Sequence, residues 1–434
     1  MKKKKVLIID GVSTGRQLAA LLINNGHEVY HMLSGSEERY NIPENVKKNY
    51  VGKMTDGMDY VECLHYDTSK TIAENAELLR SYGFEAVIPG TESGVWAAEA
   101  ISRELGLPGN NPDTFCKRRD KYHMQKALKD SGIRSIDMIL TSSVDEALEF
   151  YRKQQNARVV IKPCSSAGSE GVVLCKSEQE VRRCFSESLN KKDFYGNANE
   201  QLLLQEYITG TEYIADSVSL NGKHLLTDAH MYKKINTGGD CGAFVYDRTT
   251  LVNDVADFNI DYINKALDAV GIENGLSHME FKVDAHGPVM IEVGARIIGL
   301  SCLTYLIEAL GYDMAELILA AYSGDKDFNK WYNRLSCNYK PVKHMTIKSL
   351  ISFFDGEIAG LPAIENLSKL KTFKDADFGK TTTNGRLFKT KDLITSPGIV
   401  YLIGETADDV EADCLTINDW ERNHPEKLFV LKEC

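Results

Sequence analysis

Residues 278–293 constrain the fold of this chain more tightly than any other stretch. Two runs in which apolar and polar residues alternate lie on either side of a short loop at His286, and this pattern predicts a β-hairpin. A turn centred on His286 places Glu280 directly opposite Glu292. Opposed residues of an antiparallel pair share one face of the sheet, with Cβ atoms about 5 Å apart. The stretch therefore predicts two like charges side by side on neighbouring strands.

Two carboxylates in that arrangement repel each other unless something compensates their charge. A divalent cation is the natural compensation, and hard oxygen ligands suit Mg²⁺, with Mn²⁺ as a related choice. We therefore predict that Glu280 and Glu292 bind a metal ion. The alternative is that both are solvated side chains on an open face of the sheet.

Composition narrows the class of protein. The chain has 434 residues, 43% of them hydrophobic, as expected for a globular protein of several structural units. Its net charge of −11, from 51 basic and 62 acidic residues, disfavours nucleic acid or an anionic membrane as the main partner. No stretch approaches the ~20 apolar residues of a membrane span, and the apolar run after the first lysines is too short for a signal peptide. The ten cysteines form no CxxC pair and indicate neither a zinc site nor a disulfide framework, so we expect a cytoplasmic protein.

The order of predicted elements divides the chain into parts. The run 6–9 is continuously apolar and predicts a strand buried on both faces, followed by a Gly-rich turn, a helix and a second strand near Glu28. This βαβ opening predicts a doubly wound α/β domain over residues 1–115. From residue 116 to about 330, short strands alternate with polar turns and predict an α+β region with antiparallel strands. Residues 331–434 are expected to form a small accessory lobe.

A loop of small residues follows the predicted strand 159–162. Small residues let backbone N–H groups approach phosphate oxygens, and hydroxyl groups add donors. Lys162 ends the strand, where its ammonium group could reach a phosphate. The loop residues that would cover the phosphate are Ser165, Ser166, Gly168 and Ser169. No Gly-Lys-Ser/Thr sequence follows, so this is not a Walker loop, and an ordinary mobile turn is the alternative.

The segment after the strand 202–205 is a candidate for binding a nucleotide base. A strand, a tight glycine turn and a second strand suit a hinge whose backbone contacts an adenine edge. The residues concerned are Glu206, Tyr207 and Ile208, with Glu212 placed to accept from ribose hydroxyl groups. An ordinary hairpin is the alternative.

Further candidates lie around the glutamate hairpin. Arg296 follows the second glutamate strand, where a guanidinium could clamp a carboxylate or an acyl phosphate, or form a salt bridge with any nearby acid. His230 and His278 are candidate bases for an amine, although a lone histidine is more often structural. Ile298 and Leu300 are apolar candidates for a substrate pocket. The segment 231–246, which contains two adjacent glycines, is expected to be a loop that closes over substrates.

In order and spacing, these features resemble the ATP-grasp superfamily. The likeness covers the chain to about residue 325 and is carried by Lys121, Lys162 with its loop, Glu206, Glu212, Glu280, Glu292 and Arg296. Within the superfamily, the runs 10–16 and 292–296 are most similar to the L-amino acid ligases that make dipeptides, and more loosely to carnosine-synthase-like ligases. The resemblance implies an ATP-grasp fold whose small lobe, 116–205, carries the phosphate loop and whose large lobe, 206–330, carries the metal site.

The resemblance also implies a role for each candidate residue. Lys121 and Lys162 would contact ATP phosphates beneath the loop, the 206–208 segment would meet adenine, and Glu212 would meet ribose. The two glutamates would hold Mg²⁺, and Arg296 would stabilise an acyl phosphate. Many ATP-grasp enzymes place Asn two residues after the second glutamate as another metal ligand, whereas this chain has Gly294, which the amino acid ligases tolerate.

The reaction implied by the resemblance is the joining of a carboxylate to an amine. The carboxylate attacks the γ-phosphate of ATP to give an acyl phosphate and ADP, and the amine then displaces phosphate to give an amide, as in a dipeptide. The expected partners are small carboxylates and amines such as amino acids, and a homodimer is expected by resemblance alone. Alternatives are an ATP-grasp ligase with another acceptor (a carrier-protein thiol, or a carboxylase or nucleotide-biosynthesis substrate) and a non-catalytic nucleotide-binding protein that uses the Gly11–Gly15 turn.

Overall fold

The structure, a computed structural model, describes residues 2–35, 54–154, 157–164, 171–191, 198–236, 244–255, 258–299, 301–379, 385–391 and 395–432. No helix within these ranges is both long enough and apolar enough to cross a membrane.

The N-terminal region is a four-stranded parallel sheet in the order β3-β2-β1-β4. Its elements are β1 (Lys5–Ile9), α1 (Thr14–Asn24), β2 (Glu28–Leu33), β3 (Cys63–His65), α2 (Ile72–Arg80), β4 (Ala86–Pro89) and α3 (Val95–Leu105). Alternate residues of β1 pack into different hydrophobic clusters on the two faces, which explains the continuous apolar run. The turn after β1 passes so close to β4 that a Cβ on Gly15 would lie 2.1 Å from the carbonyl oxygen of Gly90. The predicted doubly wound α/β domain is confirmed.

A smaller antiparallel sheet follows, in the order β5-β8-β6-β7. Its strands and the neighbouring helices are α4 (Cys116–Arg119), α5 (Lys121–Asp130), β5 (Met138–Thr141), α6 (Val144–Lys153), β6 (Val159–Lys162), β7 (Val173–Cys175), α7 (Glu178–Ser188) and β8 (Leu202–Glu206). Ser143 and Ser177 cap the two amphipathic helices α6 and α7, whose apolar faces pack with the sheet in one cluster.

The largest sheet has eight antiparallel strands in the order β13-β12-β9-β10-β11-β14-β18-β16. Its strands are β9 (Thr211–Leu220), β10 (Lys223–Asn236), β11 (Phe244–Leu251), β12 (Gly275–Asp284), β13 (Gly287–Gly294), β14 (His344–Ser349), β16 (Phe373–Asp377) and β18 (Ile399–Gly404), while β15 (Gly356–Gly360), β17 (Arg386–Leu387) and β19 (Val430–Leu431) form a separate three-stranded sheet. The helices are α8 (Ile260–Ala269), α9 (Leu303–Leu310), α10 (Met314–Tyr322), α11 (Asp327–Leu335), α12 (Ala363–Leu367) and α13 (Ala407–Asn423). Because strands beyond residue 331 extend this sheet, the accessory lobe is continuous with the large lobe, and the proposed domain boundaries stay predictions.

The link between β8 and β9 joins the two lobes. Because β8 lies in the small sheet and β9 in the large sheet, these strands do not form the ordinary hairpin considered as an alternative. Gly210 in the link has φ 101°, and a Cβ there would lie 2.1 Å from the carbonyl oxygen of Val283. A side chain at this position would therefore be strained and would collide with β12. Residues 207–210 form a short connection held against the large lobe.

The prediction of a closing loop over residues 231–246 is wrong for its described part. Residues 231–236 belong to β10 and residues 244–246 to β11, which pair antiparallel. Polar and apolar residues alternate over 228–231, a strand pattern that the loop interpretation overlooked. Residues 237–243 lie outside the described ranges.

Candidate active site

Glu280 on β12 and Glu292 on β13 lie opposite each other, where these two strands pair at one edge of the large sheet. Tyr232, two strands away on β10, donates a hydrogen bond from its hydroxyl to Glu280 Oε1 at 3.2 Å. Lys121 Nζ lies 3.0 Å from Glu292 Oε2. Among the described residues, these neighbours use Oε1 of one carboxylate and Oε2 of the other. Each carboxylate therefore retains an oxygen that suits a hard divalent cation.

The pairing of the two glutamates arises differently from the predicted turn. A turn centred on His286 would place Asp284 opposite Pro288, but Asp284 pairs with Gly287 instead. A register shift next to Glu280 then leaves Ile291 as an extra residue on β13 and restores the predicted pairing of the glutamates. A tight turn and a β-bulge together therefore produce the arrangement.

Two lysines from the small lobe approach this pair. Lys121 is the first residue of α5, a helix capped by Asp120, and its backbone N–H donates to the carbonyl of Cys164 at the end of β6. Lys162 is the last residue of β6. Both side chains are buried, with Lys121 6% and Lys162 4% exposed. The N-terminus of a ten-residue helix and two ammonium groups therefore converge on one place, which favours binding of an anion.

The ionisation of these groups reflects their closeness. Burial, together with the charge of Lys121, lowers the pKa of Lys162 to about 8, although Glu292 and Glu280 oppose the shift. Burial alone would raise the pKa of Glu292, but Lys121, Lys162 and Arg296 outweigh it and hold that pKa at about 2. Glu292 is therefore a carboxylate throughout the physiological range, as a metal ligand must be.

Arg296 lies just beyond β13 and bonds to a residue that the sequence did not single out. Its Nε is 3.2 Å from Glu92 Oε2, and its Nη1 donates to the carbonyl of Ile297 at 2.8 Å. Arg119 Nε lies 3.8 Å from the other oxygen of Glu92. Glu92 begins a short 3₁₀ helix after β4, at the carboxyl edge of the parallel sheet. The N-terminal domain therefore orients the arginine predicted to act in catalysis.

A second charged cluster, formed by Glu212, Lys234 and Lys282, lies beside the segment predicted to bind a nucleotide. Glu212 is 9% exposed, and Lys234 Nζ lies 2.5 Å and Lys282 Nζ 3.7 Å from its two oxygens. Lys282 also donates to the carbonyl of Ile208 at 3.1 Å and lies 5.0 Å from the centroid of the Tyr207 ring. Glu206 is turned toward the small sheet, where its Oε1 accepts from the N–H of Asp137. Of the predicted residues, Glu212 and Tyr207 thus lie together, whereas Glu206 is bound elsewhere.

His278 and His230 occupy different positions relative to the glutamates. His278 Nε2 lies 3.8 Å from Glu280 Oε1, and its Nδ1 lies 2.7 Å from Asp216 Oδ1. Burial alone would lower the pKa of His278, but Asp216 outweighs it and raises that pKa to about 9. His230 is 1% exposed and lies deeper in the sheet, against Asp228. His278 therefore borders the glutamate pair, and His230 does not.

The remaining candidates are the residues of the predicted phosphate loop and the two apolar residues predicted to line a substrate pocket. The loop residues Ser165, Ser166, Gly168 and Ser169, together with Leu300, lie outside the described residues. Ile298 is 6% exposed and belongs to the large hydrophobic core, so its described contacts are those of a packing residue. Its place in a substrate pocket stays a prediction.

A known protein family matches the part of the chain that contains several of these residues. The ATP-grasp domain family matches residues 155–305, a range that contains Lys162, both glutamates and Arg296. The chain contains an ATP-grasp domain. Enzymes with this domain bind ATP and need divalent metal ions, and the recognition of the superfamily from the sequence is confirmed.

Curated relatives of this chain include two ligase-type enzymes. It is 26% identical over 406 residues to dapdiamide A synthase of Enterobacter agglomerans, which covers 92% of each chain. It is 23% identical over 317 residues to alanine–anticapsin ligase of Bacillus subtilis, which covers 67% of this chain and 66% of that protein. The expected class of ATP-dependent ligase is confirmed.

A solved structure confirms the fold over the whole chain. The L-amino acid ligase from Bacillus licheniformis superposes with a TM-score of 0.70 at 14% sequence identity and covers 100% of both chains. Phosphoribosylglycinamide synthetase from Anaerococcus prevotii reaches a TM-score of 0.65 at 16% identity. The roles of individual residues stay predictions.

Four residues near the predicted site were not found from the sequence. They are Tyr232, Lys234, Lys282 and Glu92. Tyr232 and Lys282 each pair with Glu212 across the sheet and share a face with Glu280, so a strand pattern could have found them. Lys234 lies next to a register irregularity of β10, and no simple alternation marks it. Glu92 had no such signal, because only the folded chain brings it 3.2 Å from Arg296.

Proposed function

We propose that this ATP-grasp protein joins the carboxylate of one amino acid to the amine of another through an acyl phosphate, with release of ADP and phosphate. The observation that carries the proposal is the convergence of two opposed glutamates, two buried lysines and one arginine at the meeting of three parts of the chain. This set provides anionic ligands for a cation and cationic groups for phosphate and carboxylate oxygens. The similarity to dapdiamide A synthase and alanine–anticapsin ligase supports an amide product.

The lysines would bind and orient the phosphates of ATP. Lys121 and Lys162 are held by burial and by backbone contacts between α5 and β6, so their ammonium groups are already in place before the nucleotide arrives. Phosphoryl transfer needs little covalent chemistry from the protein beyond positioning and charge neutralisation. The N-terminal end of α5 adds to the same positive potential.

The glutamate pair fits the divalent ion that ATP-grasp enzymes need. Glu280 and Glu292 would hold it, and we propose Mg²⁺ because both ligands are hard oxygens and the substrate is a polyphosphate. Bound there, Mg²⁺ would neutralise charge on the phosphates. Gly294 adds no side-chain ligand, so no protein oxygen is expected from that position.

Arg296 would bind the carboxylate substrate and the acyl phosphate formed from it. Its guanidinium is fixed by Glu92 through Nε and by a backbone carbonyl through Nη1. These two contacts leave further N–H groups of the fork for a planar oxyanion. Such charge-assisted pairs are strong and directional, which suits a group that must align with the γ-phosphate.

The other end of the site would bind the nucleoside. Glu212 lies on β9 just after the link between the lobes, as required for contact with ribose hydroxyl groups. Tyr207 and the carbonyl of Ile208 lie on that link, beside Lys282. No general base is assigned, because His278, with a pKa near 9, is mostly protonated at neutral pH.

The proposal is tested by measuring phosphate release with Mg²⁺·ATP and all pairs of the common amino acids. A productive pair should release phosphate and form ADP, and a new amide should appear by mass spectrometry. Formation of AMP and pyrophosphate would overturn the acyl-phosphate route. Transfer of an amino acid to a carrier thiol instead of a free amine would support the alternative acceptor and overturn the dipeptide product.

A matched pair of variants distinguishes the loss of a site residue from a nonspecific effect of substitution. Glu280→Gln should lower phosphate release from the productive pair by roughly 10²-fold, in the range seen when a preorganised electrostatic group is removed. Glu178→Gln, which removes an exposed glutamate paired with Arg152, should leave it unchanged. Equal activity of the Glu280 variant and the wild type would contradict the proposed site.

A further inference from the structure

A second pair of opposed carboxylates lies on the same face of the sheet as the two glutamates. Asp216 on β9 pairs with Asp228 on β10, and His230 follows two residues later on the same face. These side chains are sealed from water, with Asp216 5%, Asp228 0% and His230 1% exposed. None of the three has a part in the ligase chemistry proposed above. Their burial therefore needs a separate explanation, because buried charges require compensation.

Each carboxylate is held from one side by an outer partner. His278 Nδ1 lies 2.7 Å from Asp216 Oδ1, and Thr227 Oγ1 donates to Asp228 Oδ1 at 2.9 Å. These contacts fix the orientation of both groups. Hydrogen bonds of this kind are typical of the residues that orient metal ligands.

The inner side of the group is incompletely bonded. Asp228 Oδ2 lies 2.9 Å from His230 Nε2. Within the described part of the chain, Asp216 Oδ2 and His230 Nδ1 are buried atoms without a hydrogen-bond partner. Buried polar atoms are nearly always paired, so two such atoms in one cluster indicate a missing interaction.

One ligand atom from each of the three residues lies within 4.8 Å of the other two. Carboxylate oxygen and imidazole nitrogen are both ligands of divalent transition metals. We propose that Asp216, Asp228 and His230 form a structural metal site that binds Zn²⁺ between β9 and β10. This site is separate from the Glu280–Glu292 pair and does not depend on the proposed ligase activity.

The chemistry of the cluster favours zinc over magnesium. Mg²⁺ prefers six oxygen ligands and retains several waters, whereas Zn²⁺ accepts imidazole and needs only four ligands. The second oxygen of one aspartate or one buried water would complete the shell formed by the three side chains. A divalent cation would also compensate the negative charge of the two buried carboxylates. Because the ligands are aspartate and histidine, the scattered cysteines have no bearing on this site.

The proposed site lies on the same face of the sheet as the glutamate pair, farther along the strands. His278, which contacts Asp216, is two residues from Glu280 on β12. A cation that ties β9 to β10 would therefore stiffen the strands that support the glutamate pair without touching ATP. Its loss should lower the stability of the fold first and the activity only through that.

The test measures metal in the full chain, purified without a tag and passed through gel filtration in metal-free buffer. Inductively coupled plasma mass spectrometry should find about one zinc ion per chain that dialysis against EDTA removes slowly. Protein produced in cobalt medium should show the visible absorption bands of four-coordinate Co²⁺. Wild-type protein without zinc or cobalt after both procedures would overturn the proposal and would leave protons shared among the four side chains as the compensation.

Variants locate the ion. Asp216→Asn and His230→Gln should lose the zinc, whereas Glu280→Gln should retain it. His224→Gln is the matched control, because His224 forms a similar pair with Asp268, 3.0 Å apart, outside the cluster. Zinc that persists in both cluster variants, or that disappears in the Glu280 variant, would show that the ion binds elsewhere. If the cluster variants do not fold, the metal content and the cobalt spectrum of the wild type still show whether the chain binds a four-coordinate metal ion.

Discussion

Two pairs of carboxylates oppose each other on one face of the large sheet, and they differ in what compensates their charge. Glu292, whose side chain is 36% exposed, is approached by lysines that extend from another lobe. Asp216 and Asp228 are fully buried and are approached by histidines of the same sheet. Burial raises the pKa of Asp216 to about 6 despite His278, whereas the lysines hold that of Glu292 at about 2.

The difference shows how one sheet geometry can serve two purposes. Ammonium groups on long side chains can leave a carboxylate and bind a phosphate instead. The lysines that neutralise the outer pair can therefore move to the nucleotide when it binds. Imidazole rings packed inside a sheet have no such freedom, so the inner pair keeps its partners. Changes to the outer pair should therefore mainly alter activity, and changes to the inner pair should mainly alter stability.

The largest effect is expected from Glu292→Gln. Loss of one metal ligand and of a charge that positions Lys121 should lower kcat by roughly 10³-fold, in the range seen when a preorganised electrostatic group is removed. The free energy of unfolding should fall by only about 1 kcal/mol, since the side chain is partly solvated and its ion pair is screened. Steady-state phosphate release and urea unfolding measure the two quantities. A variant that is active but unstable would erase the distinction between the pairs.

The converse is expected from Asp216→Asn. This change leaves the buried His278 without its anionic partner, and breaking a buried ion pair costs about 3–5 kcal/mol. Asp268→Asn is the matched control, because its carboxylate pairs with His224 but is 64% exposed, and its loss should cost under about 1 kcal/mol. Equal losses of unfolding free energy in the two variants would show that burial of the inner pair contributes nothing special.

A smaller effect on the outer pair is expected from Tyr232→Phe. The change removes only the hydroxyl group that donates to Glu280. Partners that orient a metal ligand typically affect metal affinity by about 10–100-fold, so the Mg²⁺ concentration for half-maximal activity should rise at least about tenfold while kcat changes less. Tyr213→Phe, in the aromatic cluster on the opposite face, serves as the control. A fall in kcat without any change in the Mg²⁺ requirement would assign Tyr232 another role.

How far the sequence predicted the outer pair depends on the range of the interactions involved. The alternating pattern was enough to predict the hairpin, because that follows from local strand periodicity. The opposition of Glu280 and Glu292 was predicted from a turn centred on His286, whereas a tighter turn and a β-bulge produce it. The pattern could not predict the bulge at Ile291, since a single extra residue is set by packing in the sheet. The ATP-grasp fold came from the resemblance, which supplied the order of motifs along the chain.

The inner pair was less accessible to the same reasoning. Asp216 and Asp228 lie on strands whose register depends on a second irregularity, next to Leu226, so their opposition cannot be read from spacing alone. His230 and His278 were noticed only as candidate bases, without the carboxylates that hold them. Contacts between strands far apart in sequence, such as that of Glu92 with Arg296, are set by the tertiary fold and leave no local pattern.

The smallest effect expected is a difference in acid stability that comes from Glu292. Its pKa in the folded protein, about 2, lies below the ordinary value of 4.5, so the folded state binds its proton less readily than the unfolded state. The stability contributed by this carboxylate is therefore complete above pH about 4.5 and is lost as the pH falls toward 2. The wild type should be more stable than Glu292→Gln at pH 6, and that advantage should shrink steadily when urea unfolding is repeated at pH 4 and pH 3. Glu200→Gln, which changes an exposed glutamate of the small lobe, should show no such convergence. If the advantage of the wild type stays constant with pH, the lysines do not hold Glu292 ionised, and the electrostatic distinction between the two pairs fails.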